Sequence, residues 1–152
     1  MKRRESVNEV LGHFKKGHRD ASFAYVVIKD LEQDDISSIE LALEQLIDVL
    51  CELTLFEKAY QIMKVAMKDK KDSARLHEIF ARYHFIMEDF LKSIHHNKQA
   101  ISLQPDNCAH NHSDCGLAFY RHALIESGDP EKSNAFLAKA MRCLDEALVK
   151  NP

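Results

Sequence analysis

The stretch EDFLKSIHHNKQAISLQPDN, residues 88–107, contains one amphipathic helix followed by a stop. Phe90, Ser93 and Ala100 lie three and seven residues apart, so they share one face of a helix. Pro105 disfavours helical conformation in the residue before it, and we therefore predict a helix over about 89–104. The stretch could be a lone helix, one unit of a repeat, or a metal site using the adjacent pair His95 and His96.

When the sequence is aligned with itself at one constant offset, similar residues coincide, and this favours a repeat over the other two interpretations. This shift takes Phe56 to Phe90, Ala59 to Ser93 and Ala66 to Ala100. Residues 40–73 and 74–107 are therefore two contiguous repeats without a gap. The small side chains allow the two helices of a hairpin to approach closely. A single hairpin cannot bury both of its faces, so neighbouring hairpins must stack.

Apolar residues recur at helical spacing along nearly the whole chain, and no run alternates with period two. The links between the helical segments are short, so neighbouring helices must be antiparallel. The predicted fold class is all-α, with antiparallel helical hairpins stacked as a short α-solenoid in a single domain. The eight predicted helices lie at about 5–16, 20–33, 38–52, 55–69, 73–87, 89–104, within 108–127, and at 130–150.

Residues that favour helix ends flank most of these segments. Gly17 and Gly128 are predicted to end the first and seventh helices. Helix starts are predicted at the cap Asp20, at the capping boxes Ser37–Glu40 and Thr54–Glu57, at the cap Asp72, and at Asp129 followed by Pro130.

The two repeats resemble the tetratricopeptide repeat (TPR) family. Phe90, Ser93, Ala100 and Pro105 fall on the positions that mark the second helix of that repeat. Near the C-terminus, AKAMRCLDEALVKNP presents Ala140, Leu144, Ala147 and Pro152 in the same register. The resemblance implies a degenerate hairpin at 1–36, repeats at 40–73 and 74–107, and an extended repeat at 108–152.

The extended repeat and several residues depart from the family pattern. It contains roughly a dozen additional residues, which we place around the start of the seventh helix and in ESGDPEKSN, residues 126–134. His77 and His84 replace two large apolar residues, and we expect them to be buried rather than catalytic. Neighbours on a helix point about 100° apart, so His95 and His96 cannot share one metal. We expect one to face solvent and the other to lie at a packing edge.

The TPR resemblance implies a concave groove lined by the first helix of each hairpin, and hence a non-catalytic scaffold for a protein or peptide partner. Glu44 and Asp48 would repel a C-terminal carboxylate, so we predict no chaperone-tail clamp. The expected ligand is an extended peptide or helix of mixed charge, with a basic segment over these two carboxylates. Alternatively, the charges only solvate the face. The predicted binding residues are Glu44, Asp48, Arg75, Glu78, Arg82 and Phe85.

Composition argues against several other classes of function. The net charge of −3 over 152 residues lacks the basic excess of a nucleic-acid-binding domain. No apolar run is long enough to span a bilayer, and the basic N-terminus lacks the apolar stretch of a secretory signal. We therefore expect a cytoplasmic protein with reduced thiols and no cofactor. Gly-rich phosphate loops and a G-x-S-x-G elbow are missing, so no enzyme is predicted, although a chance Cys–His pair stays open.

The segment CAHNHSDC, residues 108–115, supports an alternative function. Cys108, His110, His112 and Cys115 are residue types that zinc prefers. Their spacing does not match a standard finger or ribbon. A metal- or redox-responsive regulatory protein is therefore the alternative to a scaffold, and a polar loop that leads into a helix is the simpler interpretation.

The last helix raises the question of what covers its apolar stripe. Met141, Leu144 and Leu148 lie on one face. Helical-repeat arrays normally need a polar capping helix at their end. Either the outer side of the helix is polar enough, or another copy covers the stripe, or the chain is a piece of a longer one. We favour self-association through this C-terminal helix.

Overall fold

Helical periodicity of the apolar residues produces the all-α fold that the sequence predicts. The computed structural model describes residues 2–15, 21–33 and 35–152. None of the helices in these ranges is both long and apolar enough to cross a membrane. The described chain contains no strand, and its helices are α1 Lys2–Lys15, α2 Ala21–Leu31, α3 Ile36–Glu52, α4 Phe56–Asp69, α5 Ala74–Ile86, α6 Phe90–Leu103, α7 Ala109–Ile125 and α8 Pro130–Lys150, with a 3-10 turn at Glu126–Gly128.

The predicted caps of α3 and α5 are wrong by two residues and by one residue. The box Ser37–Glu40 does not begin α3, because Asp35 precedes it with extended backbone and accepts a 2.9 Å hydrogen bond from the N–H three residues later. Ser73 rather than Asp72 caps α5 in the same way, over 3.1 Å. Asp and Ser are equally good caps, so the choice between neighbouring candidates depends on where the chain leaves the preceding turn.

The predicted start of α8 is confirmed. Asp129 accepts a hydrogen bond of 3.2 Å from the N–H three residues later, and Pro130 occupies the first turn. The α-helical part of α7 ends three residues before Gly128, and the 3-10 turn carries the chain to that residue. The predicted terminator Gly17 and the predicted cap Asp20 lie outside the described residues.

The turns after α3 and α5 are the same structure, repeated with the shift that relates the two sequence repeats. Thr54 and Glu88 adopt left-handed backbone conformations with φ of 58° and 59°. The amide that follows each donates to the carbonyl five residues before it, over 2.8 Å and 2.9 Å. The Thr54–Glu57 capping box is therefore wrong, because Thr54 is the reversal residue of a helix C-terminus. The same shift relates both ends of α4 to those of α6.

The chain divides into two compact units, Met1–Lys71 and Asp72–Pro152. In the first unit α1 packs against α2 and α3, and α4 packs against α2 and α3. Asp69 of α4 accepts hydrogen bonds from Tyr25 over 2.8 Å and from Lys29 over 3.2 Å, which joins α4 to α2. The core of this unit is aliphatic and includes Ile28, Leu43, Leu46, Leu50 and Ile62.

The second unit consists of two hairpins, α5 with α6 and α7 with α8, joined by packing between α6 and α7. Phe90 and Ile94 of α6 contact Cys115, Ala118 and Phe119 of α7 in one apolar cluster that also includes Ala140. The predicted packing residues of the hairpin interiors are confirmed as buried. They are Ala59 and Ala66 in α4, and Ser93 and Ala100 in α6.

The longer helices α7 and α8 account for the additional residues of the last hairpin. The interval between the N-caps of α5 and α7, Ser73 and Cys108, is nearly the same as the shift between the two sequence repeats. The interval between the C-caps of α6 and α8, Gln104 and Asn151, is clearly longer. Most of the additional length therefore lies after the start of α7. The predicted placements around the start of α7 and within residues 126–134 stay predictions.

Candidate binding surface

Four of the predicted binding residues form one stripe on α5. Arg75, Glu78, Arg82 and Phe85 are separated by three, four and three residues, which places them on the same side of the helix. Arg75 and Arg82 are exposed, whereas Glu78 and Phe85 are half-buried. The opposite side of α5 is occupied by buried residues, so this stripe is the side that a ligand can reach.

The carboxylate of Glu78 is the centre of a polar network between α5 and α7. Its Oε2 accepts a hydrogen bond of 2.9 Å from Arg75. Its Oε1 lies 2.8 Å from Nε2 of His110 and 3.3 Å from Nδ2 of Asn111. A carboxylate only accepts, so His110 donates through Nε2. The Glu78 side chain is 15% exposed, and three donors from two helices fix its position.

Asn111 carries this network from the surface into the interior. It is 1% exposed, and its Nδ2 is shared between Glu78 and Oδ1 of Asn97, at 3.3 Å from each. Asn97 is also buried and occupies the position that Met63 holds in the hairpin of α3 and α4. A buried amide without partners would be costly, so this pair fixes the registration of α7 on α6.

Asp114 extends the polar surface along α7. Partial withdrawal from water raises the pKa of its carboxyl, and the charges of His110 and Arg82 counteract this effect. The carboxylate of Glu78 raises the pKa further. We call the residues Arg75, Glu78, Arg82 and Phe85 of α5 together with His110 and Asp114 of α7 the α5–α7 surface.

Phe85 ends this surface in an aromatic and cationic patch. Its ring meets that of Phe90 edge to face, with centroids 5.1 Å apart. The guanidinium of Arg121 lies 5.8 Å from the Phe85 centroid and 5.3 Å from that of Phe90. Arg121 also pairs with Glu88 over 3.6 Å. An apolar or aromatic ligand group would find contact area here, next to a positive charge.

Three histidines fill the interior of the hairpin behind the surface. Nδ1 of His77 lies 3.0 Å from Nδ1 of His96, and the ring of His84 is stacked parallel to that of His96 with centroids 5.5 Å apart. We call His77, His84 and His96 the histidine cluster. The predicted burial of His77 and His84 is confirmed. The prediction for the adjacent pair is also confirmed, because His95 is exposed and His96 is half-buried.

The histidine cluster replaces aliphatic residues of the preceding repeat. The shift between the repeats takes the buried residues Leu43, Leu50 and Ile62 to His77, His84 and His96. Burial lowers the pKa of His96 to about 3, and the neighbouring imidazoles act in the same direction. Burial also lowers the pKa of His84, and the charge of Asp89 opposes this. The buried imidazoles of His84 and His96 are therefore neutral at neutral pH.

The proposed zinc ligands of residues 108–115 make separate contacts. Sγ of Cys108 donates to the carbonyl of Pro105 over 3.0 Å, and Sγ of Cys115 points to that of Ile94 over 3.9 Å. His110 is bound to Glu78. Within residues 2–15, 21–33 and 35–152, no group of three or more His, Cys, Asp or Glu residues is arranged to hold a metal ion.

Burial affects the ionisation of two thiols in the second unit, Cys115 and Cys143. Burial raises the pKa of Cys115 to about 12 and also raises that of Cys143. The thiolate is the reactive form of cysteine, so neither residue is activated as a nucleophile or redox sensor.

Glu44 and Asp48 lie one turn apart on α3 of the first unit, and both are half-buried. Their predicted role towards a basic ligand segment stays a prediction.

Sequence reasoning placed His110 in a metal site and overlooked Asn111 and Arg121. Arg75 and His110 are separated by the same number of residues as the N-caps of α5 and α7, so they occupy equivalent positions in the two hairpins. The repeat itself could therefore have assigned His110 to the binding surface.

Comparisons with known proteins identify no family for this chain. No protein-family model matches the sequence. A search of curated proteins finds no significant match either.

Proposed function

We propose that this chain is a non-catalytic TPR-like scaffold that binds a peptide or helix of a protein partner on the α5–α7 surface. The supporting observation is that three donors from two helices hold Glu78, while Arg82 and Phe85 stand on the same exposed side of α5. A preorganised polar surface loses little conformational freedom on binding, which favours recognition.

The chemistry of the surface defines the ligand that fits it. Arg75 and Arg82 favour carboxylates of the ligand at the exposed side of α5. Phe85, with Arg121 over its ring, favours an apolar or aromatic side chain at the other end. We therefore propose a ligand segment with an acidic residue and an aromatic or aliphatic residue about three helical turns apart. The spacing matches the stripe from Arg75 to Phe85.

A catalytic role has less support. The thiols of Cys115 and Cys143 are protonated at neutral pH, because burial raises the pKa of both. General acid–base or nucleophilic catalysis needs a group with a pKa near the working pH or an activated nucleophile. Neither thiol is an activated nucleophile of this kind.

Peptide selection with the full chain tests the proposal. Peptides are selected from a displayed random library, and their affinities for the wild type and for Arg82→Glu are measured by fluorescence anisotropy. We expect charge reversal to weaken binding at least about tenfold, because it opposes the ligand carboxylate. Lys132→Glu is the matched control, since it reverses an exposed charge on α8. Equal affinity for wild type and Arg82→Glu would rule out this surface.

Metal analysis separates the scaffold from the metal-responsive alternative. Protein purified without a His-tag is expected to contain less than about a tenth of an equivalent of zinc, because the four candidate ligands do not converge. A full equivalent that is lost in a Cys108→Ser variant would favour the alternative.

A further inference from the structure

The outer side of α7 has an apolar stripe that the fold leaves uncovered. Leu117, Tyr120 and Leu124 are separated by three and four residues, so they share one side of the helix. Each is 46% to 51% exposed. Cys115 and Ala118, which pack against α6, lie on the other side of α7. The stripe therefore does not contribute to the core of the second unit.

A second apolar stripe runs along α8. Met141, Leu144 and Leu148 are 67%, 44% and 64% exposed, although they follow the same helical spacing as core residues. Ala140 is the only buried residue of this 21-residue helix. Phe136 and Cys143 pack on the side towards the apolar cluster. The stripe lies beside the side of α8 that packs on that cluster.

The two stripes are adjacent and form one surface. An added Cβ at Gly116 of α7 would lie 2.9 Å from the Leu144 side chain and 3.2 Å from the carbonyl oxygen of Ala140. The Leu144 side chain of α8 therefore packs against α7 at Gly116, the residue before Leu117. We call the six residues Leu117, Tyr120, Leu124, Met141, Leu144 and Leu148 the end face.

The preceding hairpin contains a surface on α6 that is equivalent to the part of the end face on α8. The C-caps of α6 and α8 make the same bond, from the cap N–H to Ala100 in α6 and to Ala147 in α8. The interval between these two caps also takes Ile94 to Met141 and Ile101 to Leu148. Ile94 and Ile101 are residues through which α6 contacts the next hairpin. The end face on α8 is therefore equivalent to a surface that is covered in the preceding hairpin.

We propose that a second copy of this chain covers the end face, with the same six residues meeting across a twofold axis. A fully exposed side chain of this size presents roughly 150–200 Å². At about half exposure, the six residues leave ~600 Å² of apolar surface, which is at the upper end for a monomeric protein. Two copies would bury ~1,200 Å², which reaches the lower limit for a specific interface.

The composition of the end face favours a copy of itself as the occupant. None of the six residues is charged, so the two faces do not repel each other when they meet. In a twofold dimer each residue contributes twice, and both exposed faces are buried in a single step. The end face shares no residue with the α5–α7 surface, so this self-association is separate from the proposed peptide binding.

Sedimentation velocity of the full chain from about 10 µM to 1 mM tests the proposal. We expect the wild type to shift from monomer to dimer over this range. Leu148→Lys on α8 and Leu124→Lys on α7 are each expected to raise the dimer Kd at least about tenfold, with unchanged helical circular dichroism. Leu91→Lys is the matched control, because Leu91 is 49% exposed on α6. Arg82→Glu is expected to leave the dimer intact.

Three results would overturn the proposal. A wild-type protein that stays monomeric at the highest concentration would show that a second copy is not the occupant. A dimer that persists in both lysine variants would place the interface elsewhere. A dimer weakened equally by Leu91→Lys would show that added charge, rather than the end face, controls association.

Discussion

Acidification is expected to destabilise the hairpin of α5 and α6 through the histidine cluster. The folded protein holds the pKa of His96 at about 3, whereas an unperturbed histidine has 6.5. Between these values the unfolded chain binds a proton that the folded chain does not bind, so the free energy of unfolding falls as the pH falls. From pH 7 to pH 5, His96 alone contributes a loss of about 2 kcal/mol. The lowered pKa of His84 acts in the same direction.

The expected loss is a substantial part of the ~5–15 kcal/mol that stabilises a typical domain. Urea unfolding followed by far-UV circular dichroism at about pH 7, 6 and 5 measures it. His96→Asn keeps a hydrogen-bonding group towards His77 and cannot titrate, so the variant is expected to lose about 2 kcal/mol less than the wild type over this range. His95→Asn is the control, because His95 is exposed on the same helix.

Asp69 and Asp89, whose pKa values are lowered by hydrogen bonds, do not contribute to the loss of stability between pH 7 and pH 5. Hydrogen bonds from Tyr25 and Lys29 lower the pKa of Asp69. Burial alone would raise the pKa of Asp89, but the hydrogen bonds and the charge of Lys92 lower it below its usual value. Both carboxylates stay ionised above pH 5, and their contribution to stability is lost only at lower pH. If wild type and His96→Asn lose the same free energy between pH 7 and pH 5, the reasoning about the cluster is refuted.

Four further substitutions test packing, the polar network and backbone strain, each by urea unfolding. Gly116→Ala is expected to destabilise the protein by about 1 kcal/mol, because the added Cβ would contact α8. Gly12→Ala has open space around it and is expected to stabilise by roughly 0.5–1 kcal/mol through helix propensity. Stabilisation by both substitutions would contradict the close α7–α8 contact. Glu78→Ala removes one partner of buried Asn111 and is expected to cost about 1–3 kcal/mol, a neutral result being inconsistent with the network. Thr54→Gly relieves a left-handed β-branched residue and is expected to stabilise by about 1 kcal/mol. An unchanged or lowered free energy of unfolding would contradict strain at this residue.

Local features of the fold are predictable because they depend on residues close in sequence. Apolar spacing places the helices within a few residues of their observed ends, and the shift between the repeats identifies Ala59 and Ser93 as equivalent packing residues. Even the burial of His77 follows from the repeat, since Leu43 occupies the equivalent position. The helix caps are less predictable, because several good capping residues stand side by side and the path of the preceding turn chooses among them.

The candidate site was predicted only in part. Arg75, Glu78, Arg82 and Phe85 follow from helical spacing on α5, because residues three and four apart share a face. The partners of Glu78 on α7 do not follow in this way. His110 and Asn111 are 32 and 33 residues away in sequence, and only the tertiary structure, in which α7 packs on α6, brings their side chains to its carboxylate.

The sequence by itself determined the all-α class, the positions of the helices and the repetition of 40–73 in 74–107, because each depends on periodicity along the chain. The tertiary structure alone decided which polar residues meet, that the cysteines of 108–115 point to separate carbonyls, and that six apolar residues of the last hairpin are left exposed. These properties depend on distances between helices. Two helices with the same apolar pattern can be buried or exposed, according to whether a neighbour packs against them.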